Sequence, residues 1–214
     1  DENGEKPFGM GSARSIETAH KADRASAEWT PDIPEAGKYA VYVSYKTVDN
    51  SVSDAKYTVY HKGEITQFSV NQQIGGGTWV YLGTFEFEKG LNDYDKVVLT
   101  NESKESGVIT ADAVRFGGGM GNISRGGTTS ALPRYLEGSR YYAQWAGMPE
   151  KIYNGYKGSN DYNDDINTRS LMINYLSGGS VFNPNDPGLK VPFELEMAFH
   201  TDAGYEPNSI VGTL

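Results

Sequence analysis

The chain has no cysteine among its 214 residues. That excludes disulfides and thiolate zinc centres, so any zinc must be held by histidine and carboxylates. Cations are also in short supply. Lys and Arg number 19 against 28 Asp and Glu, a net charge of −9, and binding a phosphate backbone needs a basic footprint. Nucleic acid is therefore not an expected partner. No run approaches the roughly 18 apolar residues of a membrane span; mean hydropathy is −0.55, no transmembrane segment is expected, and the chain reads as soluble. A charged-then-apolar leader is missing too. The acidic start Asp1-Glu2-Asn3-Gly4-Glu5 reads as an interior or processed boundary, compatible with a secretory signal already removed. The length lies between one large domain and two small ones and supports a core without disulfide or metal staples.

What is abundant is tyrosine, at 15, and glycine, at 26. From Trp29 to Phe116 the pattern is β. Lys38 to Tyr45 places Tyr39, Val41, Val43 and Tyr45 on one face, as a period of two requires. Tyr57 to His61 reads as a strand, Lys62-Gly63-Glu64 as a hairpin turn and Ile65 to Asn71 as its return, after which Gly75-Gly76-Gly77 breaks the run. Trp79, Tyr81, Phe85 and Phe87 then alternate with Val80, Leu82 and Thr84, and two more strands are predicted at Lys96 to Thr100 and Val108 to Phe116. Six short strands separated by turns predict an antiparallel, jelly-roll-like sandwich.

After the glycine-rich run Gly117 to Gly121, read as a linker, the pattern becomes an alternation of helix and strand. Leu132-Pro133 opens a predicted helix through Ala146, stopped by Gly147. Lys151 to Asn154 is a short predicted strand. Asn163, Asp164 and Asp165 offer capping side chains for a helix to Leu176, ended by Gly178-Gly179, and Phe193 to His200 reads as a strand entering a polar loop. The predicted fold is thus mixed. A β-sandwich over residues 12–117 follows a leading segment 1–11, and a partial α/β unit occupies residues 122–214.

Residues in both halves carry a resemblance. Trp29-Thr-Pro-Asp-Ile-Pro-Glu-Ala-Gly-Lys-Tyr-Ala-Val-Tyr-Val, then Tyr57-Thr-Val, Val70-Asn-Gln-Gln, Trp79-Val-Tyr-Leu-Gly-Thr and Ala111-Asp-Ala-Val-Arg-Phe resemble the golvesin C-terminal-like domain, also called the xanthan-lyase carbohydrate-binding-like domain. The resemblance implies a sandwich accessory domain of secreted, periplasmic or cell-surface polysaccharide-active proteins; it does not imply a lyase. The second half is similar, more weakly, to zinc-dependent N-acetylmuramoyl-L-alanine amidases, which cut peptidoglycan. Glu137 and His200 match two of their zinc ligands in order, with Arg169 in a helix, Asn174 shortly after and Asp202 beyond the second ligand. The family's first histidine would lie upstream of Asp1 and its catalytic glutamate beyond Leu214. The sandwich is then expected as an insertion and the chain as an interior piece of a hydrolase of glycan-peptide material, without independent activity of its own. The alternative is a non-catalytic glycan-binding surface module.

Each candidate residue also has a structural reading. Glu137 is either a zinc ligand or a solvated carboxylate favoured by a helix dipole; His200 is either a ligand or a satisfied structural histidine. With two ligands the zinc is under-coordinated. Arg169 is expected to brace the site or pair with Asp164 or Asp165. Glu194 and Glu196 share the strand face of His200 and lie either on an edge or in a cleft. The cluster Asp161, Asp164 and Asp165 lacks the spacing of an EF-hand and reads as helix capping. His61, before a hairpin turn, is expected to be exposed, and His20 lies in a polar segment without partners. Tyr42, Tyr60, Trp79 and Gln72 offer the rings and amide that bind sugars, while Trp29 and Trp79 fit a sandwich core equally well. An α/β unit lacking flanking strands exposes apolar edges, so oligomerisation is a further expectation.

Overall fold

The structure, a computed structural model, describes residues 13–20, 24–117, 124–125, 128–129, 136–179, 181 and 184–197. Eleven strands build the first part. They are β1 (Arg14–Glu17), β2 (Ser26–Trp29), β3 (Asp32–Ile33), β4 (Gly37–Ser44), β5 (Ala55–His61), β6 (Glu64–Val70), β7 (Val80–Phe87), β8 (Gly90–Leu91), β9 (Lys96–Thr100), β10 (Val108–Ala111) and β11 (Ala113–Phe116). One sheet has the order β2-β9-β5-β6, the facing one β11-β4-β7, and β1-β10 and β3-β8 form short antiparallel pairs. A short hairpin, β12 (Ser124–Arg125) with β13 (Thr128–Thr129), and three helices follow: α1 (Ser139–Trp145), α2 (Glu150–Tyr153) and α3 (Asp161–Ser177). The architecture is the expected one, an antiparallel sandwich followed by a small α/β unit.

Alternation decides what enters the sandwich core. Val41, Val43 and Tyr45 on the β4 side meet Tyr57 and Val59 of β5 and Val97 and Leu99 of β9, all buried. The β5–β6 turn has Lys62 at φ 47° and Gly63 at φ 81°, the double left-handed geometry that follows the twist of a hairpin. β7 departs from strict alternation. Val41 of β4 pairs with Gly83 but Tyr42 pairs with Tyr81, so Leu82 is an extra residue in a β-bulge. The bulge switches faces. Phe85 and Phe87 before it in the ladder, and Val80 and Leu82 after it, all pack on the same core, while Tyr81 lies 5.2 Å from Tyr42 on the outer side.

Two buried polar groups hold loops to this core. Gln72 is fully buried, its amide nitrogen donating to the Thr110 carbonyl at 2.8 Å and its oxygen accepting from the Thr110 N–H at 2.9 Å. The Tyr45 hydroxyl donates to the carbonyls of Ile74 and Asn71 at 2.8 and 3.1 Å.

The outer face of β11-β4-β7 is covered by the helices. Tyr42 and Trp79 form a second buried cluster with Ala143, Trp145, Ala146, Met148, Ile152 and Tyr153. Arg115 of β11 lies between two indoles, 4.3 Å from the Trp79 ring and 4.7 Å from the Trp145 ring, and its guanidinium donates to the Trp145 carbonyl at 3.1 Å. Burial lowers its pKa to about 10, which leaves it cationic at neutral pH. The Trp79 N–H also donates to the Ala146 carbonyl at 3.1 Å.

The helical unit corrects three expectations. Lys151 to Asn154, read as a strand, falls in and just after helix α2, because Pro149 precedes it and Ile152 and Tyr153 bury on one side, with the Thr168 hydroxyl donating to the Ile152 carbonyl at 3.1 Å. So short a run does not distinguish helix from strand. The N-cap of α3 is Asn160, whose side chain accepts from the Asn163 N–H at 3.1 Å, rather than the Asn163 to Asp165 run. Phe193 to Met197, the described part of the last predicted strand, joins no sheet. Pro192 directly precedes it, and before that the Val191 N–H donates to the Leu176 carbonyl at the end of α3.

Replacing Arg115 by Ala removes two desolvated cation–π contacts and a hydrogen bond, a loss of about 2–4 kcal/mol. The expected outcome is a lower urea midpoint, with Arg115→Lys intermediate; a midpoint unchanged in Arg115→Ala refutes the clamp.

The buried Tyr45 hydroxyl gives a pH prediction. Desolvation raises its pKa to about 12 from an ordinary 10, so the folded state favours the protonated phenol. Its contribution is fully present below pH 10 and is lost as pH rises from 10 towards 12. Stability over that window is expected to fall less steeply with pH in Tyr45→Phe than in the native chain, measured by urea unfolding at several pH values.

Candidate functional site

The sequence singles out Glu137, Arg169 and Glu196 from three separate stretches, and the fold brings them together. They line one cleft of about 470 Å³ with Tyr142 of α1 and Met172 of α3. Glu137 stands two residues before α1 rather than inside a helix, because α1 begins only at Ser139 behind the extended Gly138. The start of α1 is held from α3. The Asp165 carboxylate accepts from the Arg140 N–H at 3.1 Å, and the Ser139 hydroxyl donates to the Asp165 carbonyl at 2.6 Å. Gly138 leaves room for that contact: a Cβ there would sit 2.5 Å from the Asp165 carboxylate oxygen, which would have to shift.

Arg169 pairs with Asp165 at 3.4 Å, one turn away on α3, so it braces the α1–α3 junction as expected while lining the cleft. The other two aspartates have separate partners. Asp161 pairs with Arg140 at 3.0 Å, and buried Asp164 accepts the Tyr156 N–H at 3.0 Å, fixing the turn before α3. Glu194 is exposed, as is Glu196. With no strand there, the two share no strand face. His200 and Asp202 lie outside the described residues. Among the described residues no group of three or more His, Asp or Glu side chains is placed to hold a metal ion, so those residues by themselves do not complete a zinc site.

On the sandwich the sugar-contact candidates separate by burial. Gln72 is fully enclosed with its amide committed to Thr110, and Tyr42 is 3% exposed beneath the helices. Trp79 is 9% exposed and takes the core role that the sequence also allowed. These three are not open to a glycan in this fold. Tyr60 is half-buried on the outer face of β5, with the Lys96 ammonium 5.9 Å from its ring centre and Lys96 paired to Glu28 at 2.8 Å.

The expectation for His61 is also corrected. It is 8% exposed, because it shares the inward face of Tyr57 and Val59, and its Nε2 lies 3.0 Å from the Thr66 hydroxyl with its ring 4.7 Å from that of Phe85. His20 is exposed, but its Nδ1 lies 3.1 Å from the Ser103 carbonyl. The sequence reading did not single out Arg115 or Asp112, and it offered Asp165 as a helix cap or a partner of Arg169 but not as the group that holds the start of α1. A signal was present only for Asp112, which interrupts the apolar alternation of Val108 to Phe116 and separates β10 from β11.

The chain belongs to the Golvesin C-terminal domain family, which matches residues 5–118. Over 93 residues it is 36% identical to the xanthan lyase of Bacillus sp. (strain GL1), a stretch covering 42% of this chain and 10% of that protein. The solved Paenibacillus xanthan lyase aligns with 48% of this chain and 12% of its own at 23% identity and a TM-score of 0.39. The chain thus spans about a tenth of the length of these relatives.

Substituting Gly138→Ala forces the Asp165 carboxylate away from the start of α1. The expected outcome is a loss of about 1–3 kcal/mol in unfolding experiments, together with a change in the near-ultraviolet signal of Trp145 in α1. Unchanged stability and spectrum would show that Asp165 does not hold α1.

Proposed function

We propose that the chain is an accessory glycan-binding β-sandwich carried with part of a cell-wall or glycan-peptide hydrolase, acting outside the cytoplasm where such polymers occur. One observation carries the reading: the chain matches the family over residues 5–118 and shares 93 residues at 36% identity with a xanthan lyase. An accessory sandwich of a polysaccharide-active protein holds the polymer near a catalytic unit, which raises its effective concentration without itself doing chemistry. The acidic character, −9 overall, fits a hydroxyl-rich partner better than a polyanion.

A second reading, for the helical unit, is that it forms part of a zinc-dependent amidase with Glu137 and His200 as zinc ligands. Supporting it is the gathering of Glu137, Arg169 and Glu196 in one cleft.

The two readings separate in one set of experiments. Affinity electrophoresis through gels containing a neutral polysaccharide such as hydroxyethylcellulose, and co-sedimentation with insoluble peptidoglycan, are expected to retard or deplete the purified chain; free migration in both refutes the glycan-binding reading. Incubation with peptidoglycan and zinc, with and without a chelator, tests the second. Chelator-sensitive amide release would establish a complete zinc site in this chain, whereas the expected result for the isolated chain is none.

A further inference from the structure

The two layers of the sandwich part at one side, where β2 ends the four-stranded sheet and β1 pairs only with β10. A cleft of about 610 Å³ opens there, bordered by Arg14 and Ser15 of β1, Glu28 and Trp29 of β2, and Asp112 between β10 and β11. That volume falls within the range of small-ligand sites. Trp29 is half-buried and packs on the sandwich core while also lining the cleft. Its indole is therefore held in position before any ligand arrives, which lowers the entropic cost of binding.

Asp112 supplies the polar counterpart. It sits half-buried, and loss of water raises its carboxyl above the ordinary range. The chain beside it is fixed, since both backbone groups of Thr110 are clasped by Gln72. An apolar indole face and a partly desolvated acceptor on a rigid strand are what a sugar ring presents partners for: C–H groups on its faces and hydroxyls on its rim. Charge narrows the class. Among the described lining residues the one cation, Arg14, is matched by Asp112, while Glu28 is paired with Lys96 at 2.8 Å, and on a chain of net charge −9 a polyanionic strand gains no attraction there.

We infer that this cleft is the binding groove for an uncharged segment of polysaccharide, with Trp29 as the stacking face and Asp112 as the acceptor of sugar hydroxyls. The inference rests on the glycan-binding reading above and goes beyond it in naming the groove and the chemical class.

The test is isothermal titration of the full chain with cellohexaose, mannohexaose and chitohexaose as neutral probes and hexagalacturonate as the acidic one. At least one neutral hexamer is expected to bind, and the acidic one is expected to bind at least about tenfold more weakly. Trp29→Ala is expected to weaken binding about tenfold or more and Asp112→Asn about three- to tenfold. Ser15→Trp fills the groove from an exposed strand position and is expected to abolish binding with an unchanged circular-dichroism spectrum, so the inference stays testable if Trp29→Ala unfolds. Tyr162→Ala, on an exposed surface of α3, serves as the unaffected control. Neutral-sugar binding that survives both Ser15→Trp and Asp112→Asn overturns the groove but leaves the glycan-binding reading standing. Loss with Tyr60→Ala and not with Ser15→Trp moves the site to the outer sheet face and likewise overturns it. Preference for the acidic hexamer overturns the chemical class. Self-association abolished by Ser15→Trp, with no sugar bound, assigns the cleft to a second copy. Absence of binding to every sugar and to the polymers above refutes the glycan-binding reading itself.

Discussion

Covering both faces of β4 is the constraint on which the rest of the structure depends. Val41 and Val43 enter the sandwich, while Tyr42, between them in sequence, lies under Trp145 with the ring centres 4.4 Å apart. A sheet of an ordinary antiparallel sandwich presents one face to water; here the outer face of β11-β4-β7 has become an interior. Arg115 makes this workable. Its position on β11 would leave a charge under the helices, and the two indoles together with the Trp145 carbonyl supply the electron-rich surroundings that replace water.

That covering redistributes the surfaces open to a polymer. Rings that would form a glycan platform on an exposed β4 face, Tyr42 and Trp79, are enclosed by the helices. Among the described residues, the outer side of the four-stranded sheet around Tyr60 and the side where the layers part beside Trp29 are left uncovered. At the first the cation is already engaged by Glu28; the second is concave. Concavity surrounds a ring on more than one side and removes more apolar area from water per sugar. For this reason the edge cleft is the stronger candidate.

Much of the sandwich was legible because period-two alternation is a local property. The hairpin at Lys62-Gly63, the strand Lys96 to Thr100 and the face shared by Val41, Val43 and Tyr45 follow from neighbouring residues alone. What escaped depends on partners distant in sequence. The extra residue at Leu82 exists only in relation to β4, the enclosure of Gln72 only in relation to Thr110, and the true start of α1 only because Asp165, 26 positions beyond Ser139, reaches its first turn. His61 was misread for a related reason: nearness to a turn argued for water, but its strand face points inward. In the candidate cleft of the helical unit, the sequence named Glu137, Arg169 and Glu196 separately. It named Asp165 as a cap or a partner of Arg169, but its hold on Ser139 and Arg140 lies in geometry between two helices that no local pattern encodes.

The same contrast bears on how the two parts act together. A flexible tether would let the sandwich and helices sample many separations, and the benefit of holding a polymer near a catalytic unit would then fall with the volume explored. The observed junction instead combines a buried aromatic cluster, a clamped guanidinium and a backbone hydrogen bond from Trp79 to Ala146. Separating the parts would expose Tyr42, Trp79 and Trp145 at once and leave Arg115 without its rings, so the junction opens only at a cost comparable to losing a small core. A polymer held in the edge cleft would therefore stand at a fixed distance and orientation from the Glu137 cleft. On the glycan-binding reading proposed above, such rigidity would serve positioning along a chain, whereas a loose linker would serve only capture.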